Sequence, residues 1–307
     1  MGILINKKSK PTFSLKKILH ENLAGWEEAR PIVNIHASSL TNKDKSFCPR
    51  EYALLDLTKK TQKGQYIGTS LRTTFNHGKD LQRRLNEDYL KDIMIGDWHC
   101  QNCGQIKTFC TKPKESQCFT DSGINHIWVY DEPRPLSKES GVSGGVDALI
   151  NIGQPKYRIY ELKTMAVDQF KTLKAPLAEH RLRTNLYMRL VAESEGEMKY
   201  RVDTKIAGVL YVCKGFGIKD DTLKEMGIKD AGFTPFKEYT VTRDDKGTQE
   251  LCNRAKMVKQ FREPKGKMPE GICPTSFCKR AKNCTVISEC FSGKYPAQIT
   301  WVGKEEK

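Results

Sequence analysis

Residues 145–163 read GVDALINIGQPKYRIYELK, and this stretch constrains the fold more than any other. Val146, Ala148, Ile150 and Ile152 alternate with other residues, as in a half-buried strand. Gly153, Gln154 and Pro155 supply turn chemistry. Tyr157, Ile159, Glu161 and Lys163 then share one face of a second strand, because strand side chains repeat every second residue. The pair predicts a β-hairpin. A loop of three or five residues sets Asp147 opposite Lys163, on the face of Glu161. A four-residue loop sets it opposite Leu162 and turns it away, since a one-residue slip exchanges the faces. The expectation is an odd loop or a bulge.

The chemistry of that face follows from its residue types. Hard divalent cations prefer oxygen ligands, and Mg²⁺ contacts one or two carboxylates while keeping several waters. Asp147 and Glu161 offer those oxygens to Mg²⁺ or Mn²⁺, and the Leu162 carbonyl offers a third. Lys163 stands where it can orient an attacking water and screen phosphate oxygens. Metal-dependent phosphodiester hydrolysis is therefore the leading expectation, with Asp147, Glu161 and Lys163 as catalytic residues. An E-x-K triplet is also common on exposed strands, where it is only a solvated face. Gly144-Gly145 before Asp147 and the hairpin context favour the catalytic reading.

Composition supports a polyanionic partner. The formal charge is +15 over 307 residues, with pI near 9.2. If the cysteines hold one zinc ion and one cluster as thiolates, each site nets about −2 and the total falls to roughly +11. Two basic runs suit phosphate contact: Lys7, Lys8, Lys10, Lys16 and Lys17, then Arg254, Lys256, Lys259, Arg262, Lys265, Lys267, Lys279, Arg280 and Lys282. No apolar run reaches membrane-span length, and MGILINKKSK carries no secretion signal. A cytoplasmic chain without a membrane partner is expected. The sequence names no protein partner.

Alternating strands and helices predict one α/β domain over 1–307. Helices are expected over 14–22, 47–60, 176–192 and 247–262, and a strand over 205–213. A long helix over 70–94 carries an apolar stripe of Leu81, Leu85, Tyr89 and Ile93, which His77 extends toward the interior or a cleft. Eleven cysteines in a chain without a secretion signal point to metals rather than disulfides. Cys100-x-x-Cys103-Gly104 opens a zinc-ribbon-like insertion over 98–120, completed by Cys110 and Cys118, with His99 and His126 as possible substitutes. A cysteine-rich segment over 264–307 holds Cys273, Cys278, Cys284 and Cys290. Cys213 and Cys252 stand alone as packing residues.

The residues GGVDALINI and YRIYELKT resemble the core of the PD-(D/E)XK nuclease superfamily, most closely its RecB-type exonuclease branch with the CRISPR-associated RecB-like, AddB-like and phage exonucleases. The resemblance implies a restriction-endonuclease-like mixed sheet flanked by helices. It implies DNA as substrate, at ends or single strands, in recombination, repair or phage replication. In that branch a helix ahead of the hairpin carries a metal-binding histidine, which FNHGKDLQRRL supplies as His77. A Q-x-x-x-Y helix follows the hairpin; here Tyr187 is in register but Arg183 replaces the glutamine, and both are expected to contact DNA. The branch often carries a 4Fe–4S cluster. The resemblance assigns it to Cys48 with Cys273, Cys278 and Cys284, and Cys290 competes for the last places; four tail cysteines around a second zinc are the alternative. Rival functions are a structure-selective endonuclease on the same core and a catalytically idle, zinc-containing DNA-binding scaffold.

Overall fold

Two eight-residue strands run parallel at the centre of the molecule, and the remaining elements are arranged about them. The computed structural model describes residues 15–27, 34–42, 46–61, 65–114, 116, 118, 125–215, 218–219 and 233–296. Its strands are β1 (Gly25–Glu27), β2 (Ile35–His36), β3 (Gln65–Ile67), β4 (Met94–Cys100), β5 (Ile106–Cys110), β6 (Trp128–Asp131), β7 (Leu136–Ser137), β8 (Val142–Ser143), β9 (Ala148–Ile150), β10 (Arg158–Met165), β11 (Ile206–Cys213), β12 (Ile218–Lys219), β13 (Phe233–Thr234) and β14 (Phe236–Thr242). Its helices are α1 (Leu15–Leu23), α2 (Ala37–Leu40), α3 (Pro49–Thr58), α4 (Thr69–Arg84), α5 (Val167–Thr172), α6 (Ala178–Glu193), α7 (Glu197–Arg201), α8 (Asp245–Phe261), α9 (Lys279–Lys282) and α10 (Ile287–Phe291).

The main sheet runs β14-β11-β10-β9-β4-β5, with β6 also paired to β4. β10 and β11 pair in parallel and the other neighbours are antiparallel, so the sheet is mixed. The parallel pair needs a crossover, which α5, α6 and α7 supply. β11 is almost continuously buried because both its faces are covered. On one face α6 and α8 pack through Leu186, Leu190, Ala255 and Val258 against Ile159, Val209 and Tyr211. On the other, Met94, Trp98 and Trp128 pack with Ala148 and Leu162. No described helix is long and apolar enough to cross a membrane.

The hairpin forms, with a longer loop than the turn residues suggest. Ala148 pairs with Tyr160 and Ile150 with Arg158, leaving a loop of seven residues, 151–157. The loop opens early because the Asn151 N–H donates to the Ile93 carbonyl (2.8 Å) and its side chain accepts from Gly153 N–H (3.1 Å). Its length is odd. Continuing the register by one residue sets Asp147 level with Glu161 rather than opposite Lys163. The face is the expected one, and the partner lies two positions earlier.

Two boundaries differ from expectation. The helix expected over 70–94 ends as α4 and one wide turn over Leu85–Tyr89, closed by Leu90 N–H on the Leu85 carbonyl (2.8 Å). That turn breaks the stripe: Leu85 is buried, while Tyr89 and Ile93 are exposed. Residues 94–100 are the strand β4, so the region 98–120 grows directly from the main sheet through Cys100, the last residue of β4. The tail packs on α3 through a separate small core in which Leu54 and Leu55 meet Phe261, Met268 and Val286.

Many cations of the second basic run are engaged within the protein. Arg262 pairs with Asp56 (2.8 Å), Lys256 with Glu139 (2.8 Å), Arg254 with Glu250, and Arg280 with the buried Glu51 (2.5 Å). Lys7, Lys8 and Lys10 lie outside the described residues.

Gly144 is closely packed. A Cβ there would lie 2.8 Å from the Tyr187 ring and 2.9 Å from Ala37 Cβ. Gly144→Ala is expected to destabilise the protein by about 1–3 kcal/mol through overpacking, read from the midpoint of urea unfolding. An unchanged midpoint would contradict this packing.

Candidate functional site

Asp147, Glu161 and Lys163 converge at the point where β9 begins and β10 passes beneath α6. The Lys163 Nζ lies 2.9 Å from Asp147 Oδ2 and 2.8 Å from Glu161 Oε1. The Leu162 N–H donates to Asp147 Oδ2 (2.9 Å), and Lys163 Nζ donates to the Leu162 carbonyl (3.0 Å). Glu161 is fully buried. Its Oε1 also meets Arg183 Nη1 at 3.3 Å, while its Oε2 has no hydrogen-bond partner among the described residues. Burial and the Asp147 charge push the Glu161 carboxyl up to about 7, against the pull of Lys163 and Arg183. Burial also works against the Lys163 charge, but the two carboxylates outweigh it and hold the ammonium above its ordinary value.

Other expected residues take different positions. His77 is exposed on α4 and has no hydrogen bond or ion pair among the described residues. The face that α4 and the wide turn after it present to the sheet carries Gly78, Gln82 and Asn86 instead: a Cβ on Gly78 would lie 3.0 Å from Thr164 Oγ1, Gln82 donates to Glu132 (3.4 Å), and Asn86 donates to the Asp147 carbonyl (3.5 Å). His77 is one residue off that line, so the histidine is not gathered with the carboxylates. Arg183 is held between Glu161 and Thr41 Oγ1 (3.2 Å), where it neutralises a buried carboxylate. Tyr187 is buried against Gly144, with no open ring face for a base.

Two neighbours went unnoticed in the sequence. Glu132 follows β6, and burial together with the Asp147 charge holds its carboxyl above the ordinary range. No motif marks it. His180 on α6 bonds the Tyr211 hydroxyl (2.8 Å), which also accepts from Leu177 N–H. Burial and the charges of Lys163 and Arg183 lower its pKa to about 4, so the ring is neutral at pH 7.

A second group is built for a single soft or borderline metal ion. One ligand atom each of Cys100, Cys103, Cys118 and His126 lies within 4.8 Å of all the others. His126 approaches Cys103 Sγ through Nδ1 (3.5 Å) and stacks on Trp128. Burial opposes the Cys100 thiolate, yet backbone N–H groups of the knuckle and His126 lower the thiol to about 6. Three thiolates and an imidazole fit tetrahedral zinc. Cys110 is replaced by His126 in this set. The reason is the register: β5 runs back along β4 and carries Cys110 opposite Gly96, four residues from Cys100.

A trough leads from this group to the carboxylates. Two adjoining cavities of about 500 and 380 Å³ share Arg83, Glu87 and Val129; the first reaches His126 and the second reaches Glu132.

No family model matches the chain, and no curated protein matches it. Among solved structures, the crystal structure of SSO0001 matches 93% of this chain and 95% of its own at 14% identity, with a TM-score of 0.34. Likeness at that level carries no argument, so the site is read from its own geometry.

The tail cysteines meet the N-terminal one. Cys48, immediately before α3, lines a small cavity with Cys273, Cys284 and Cys290, beside Glu51 and Arg280. Cys278 lies off that lining but beside Cys273, to which its side chain is hydrogen-bonded; its Sγ also accepts from Ala281 N–H (3.3 Å) at the start of α9, and Cys290 stands on the cavity wall. These sulfurs are not gathered as tightly as the Cys100 group. A polynuclear cluster spreads its thiolates wider than a single ion does.

Cys118→Ser and His126→Ala are each expected to lose one equivalent of zinc per chain by elemental analysis, while Cys110→Ser keeps it. Zinc lost with Cys110 and retained with His126→Ala would reverse the ligand assignment.

Proposed function

We propose that this protein is a metal-dependent nuclease of the PD-(D/E)XK kind, on a restriction-endonuclease-like core, hydrolysing DNA at ends or in single strands. The observation that carries the reading is the meeting of two carboxylates with one ammonium, each within 3 Å of it, on the inner strands of a mixed sheet, with Glu161 Oε2 buried and unpartnered. A fully buried carboxylate oxygen without a donor is costly in an apolar surrounding. Oxygen ligands on Asp147 and Glu161 suit Mg²⁺ or Mn²⁺. Bound there, the ion would activate a water and stabilise charge on the phosphate. The residues' own parts are distinct. Asp147 and Glu161 would hold the cation, and Lys163, which lies between them, would orient the attacking water and screen the phosphate charge. Arg183, with Lys163, favours the charged form of Glu161 against its burial. The trough toward His126 carries Lys79, Arg83 and Lys112, cations that suit the backbone of a single strand.

Asp147→Asn and Lys163→Met are each expected to lower the rate of DNA cleavage by roughly 100- to 1000-fold or more with DNA affinity retained. Absence of cleavage by the wild-type protein on single-stranded, duplex and closed circular DNA in both Mg²⁺ and Mn²⁺ would overturn the reading in favour of a DNA-binding scaffold.

The cysteine-lined cavity supports a 4Fe–4S cluster with a structural role, held by Cys48, Cys273, Cys284 and Cys290. Anaerobically purified protein is expected to be brown with about four irons per chain. Cys290→Ser should lose iron and colour, and Cys278→Ser should keep both. Zinc in place of iron in the wild type would replace the cluster.

A further inference from the structure

We infer that Glu132 serves this site as a third metal-binding carboxylate, in the position that the family resemblance gives to His77; the inference rests on the proposed metal-dependent site. The argument begins in the sheet. Along β4 the pairing partner changes from β9 at Ile95 to β6 at Asp97. Between the end of β6 and the start of β9 the chain leaves the sheet and returns, and its two limbs are held together by Val146 N–H on the Pro133 carbonyl (2.9 Å) and Gly144 N–H on the Pro135 carbonyl (3.3 Å). Glu132 and Asp147 are the residues at the two lips of this excursion. Backbone hydrogen bonds set their separation, although the two residues are fifteen positions apart in the sequence.

Gly145 makes room for the Glu132 carboxylate. A Cβ at Gly145 would fall 2.2 Å from Glu132 Oε2, so that oxygen lies directly over the glycine. Gln82 donates to Glu132 Oε1, and Oε2 has no hydrogen-bond partner among the described residues. Arg134 and Lys163 both act on the Glu132 charge, but neither pairs with it among the described residues. Lys163 meets Asp147 and Glu161, Arg183 meets Glu161, and Glu132 forms no ion pair among the described residues. Two oxygens of the site are buried and without partners, Glu161 Oε2 and Asn86 Oδ1. Three carboxylates thus share the Lys163 ammonium and the Arg183 and Arg134 guanidiniums, and two buried acceptor oxygens of the site remain without donors. A divalent cation would satisfy those acceptors. His77, exposed and one residue away from the Gly78–Gln82–Asn86 line, does not reach them.

The test is direct Mn²⁺ binding to the zinc-loaded full chain, followed by electron paramagnetic resonance of free Mn²⁺. Asp147→Ala should abolish binding. Glu132→Gln should weaken it by roughly tenfold or more, and His77→Ala should leave the affinity within about twofold of wild type. Retained zinc and an unchanged melting curve report that each variant is folded. Pulsed spectra of Mn²⁺ bound to the wild type need no variant fold of their own: nitrogen modulation that disappears in His77→Ala would overturn the inference. So would Glu132→Gln binding Mn²⁺ as tightly as wild type while Asp147→Ala does not, an outcome that leaves the proposed site standing. A wild-type protein that binds no Mn²⁺ defeats both.

Discussion

The Lys163 ammonium, set between Asp147 and Glu161, is the interaction on which the centre of the sheet depends. Glu161 is fully buried on β10, and a buried carboxylate without a nearby cation would protonate or unfold its surroundings. Lys163 and Arg183 supply that cation from opposite sides, one from the same strand and one from α6. The strand alternation that places Glu161 and Lys163 on one face therefore does more than align catalytic groups. It lets a charged residue occupy the middle of a parallel strand pair whose other positions are apolar. Removing either partner leaves charge in a low-dielectric interior, which is why stability and chemistry are inseparable at these positions.

The cysteines act at the margins of that core. Cys100 extends β4 into a knuckle beside the second apolar layer, where Trp98 and Trp128 pack with Cys100 and Cys118, and His126 stacks on Trp128. The cavity at Cys48 sits beside the third apolar cluster, made by α3, α8 and the tail. Each cysteine group thus adjoins an apolar cluster outside the largest core.

The hairpin face was legible because strand periodicity is rigid. Asp147, Glu161 and Lys163 could be placed together once the loop was taken as odd, and they do meet. The loop length was not legible, since Asn151 turns the chain early through a bond to Ile93, a residue remote in sequence. The helix over 70–94 was overextended because Tyr89 and Ile93 continue a four-residue spacing that the wide turn at Leu85 interrupts. Helical rotation decided His77, which is a single residue from the packed face. Tyr187 and Arg183 have the residue types of a DNA contact, but tertiary packing commits both inward. Cys110 and His126 exchanged roles because proximity in sequence to a C-x-x-C knuckle says nothing about strand direction. Glu132 could not have been found without the sheet, because only the change of partner along β4 brings it beside Asp147.

Arg280 reaches Glu51 and the Ser46 carbonyl across more than two hundred residues of chain. During synthesis on the ribosome, then, α3 emerges long before the guanidinium that neutralises its buried glutamate, and before Phe261, Met268 and Val286 that cover Leu54 and Leu55. The early segment carries exposed apolar surface until the late one arrives. Its final docking is a closing step of folding, and the N-terminal third of the chain cannot reach its native packing as a separate unit.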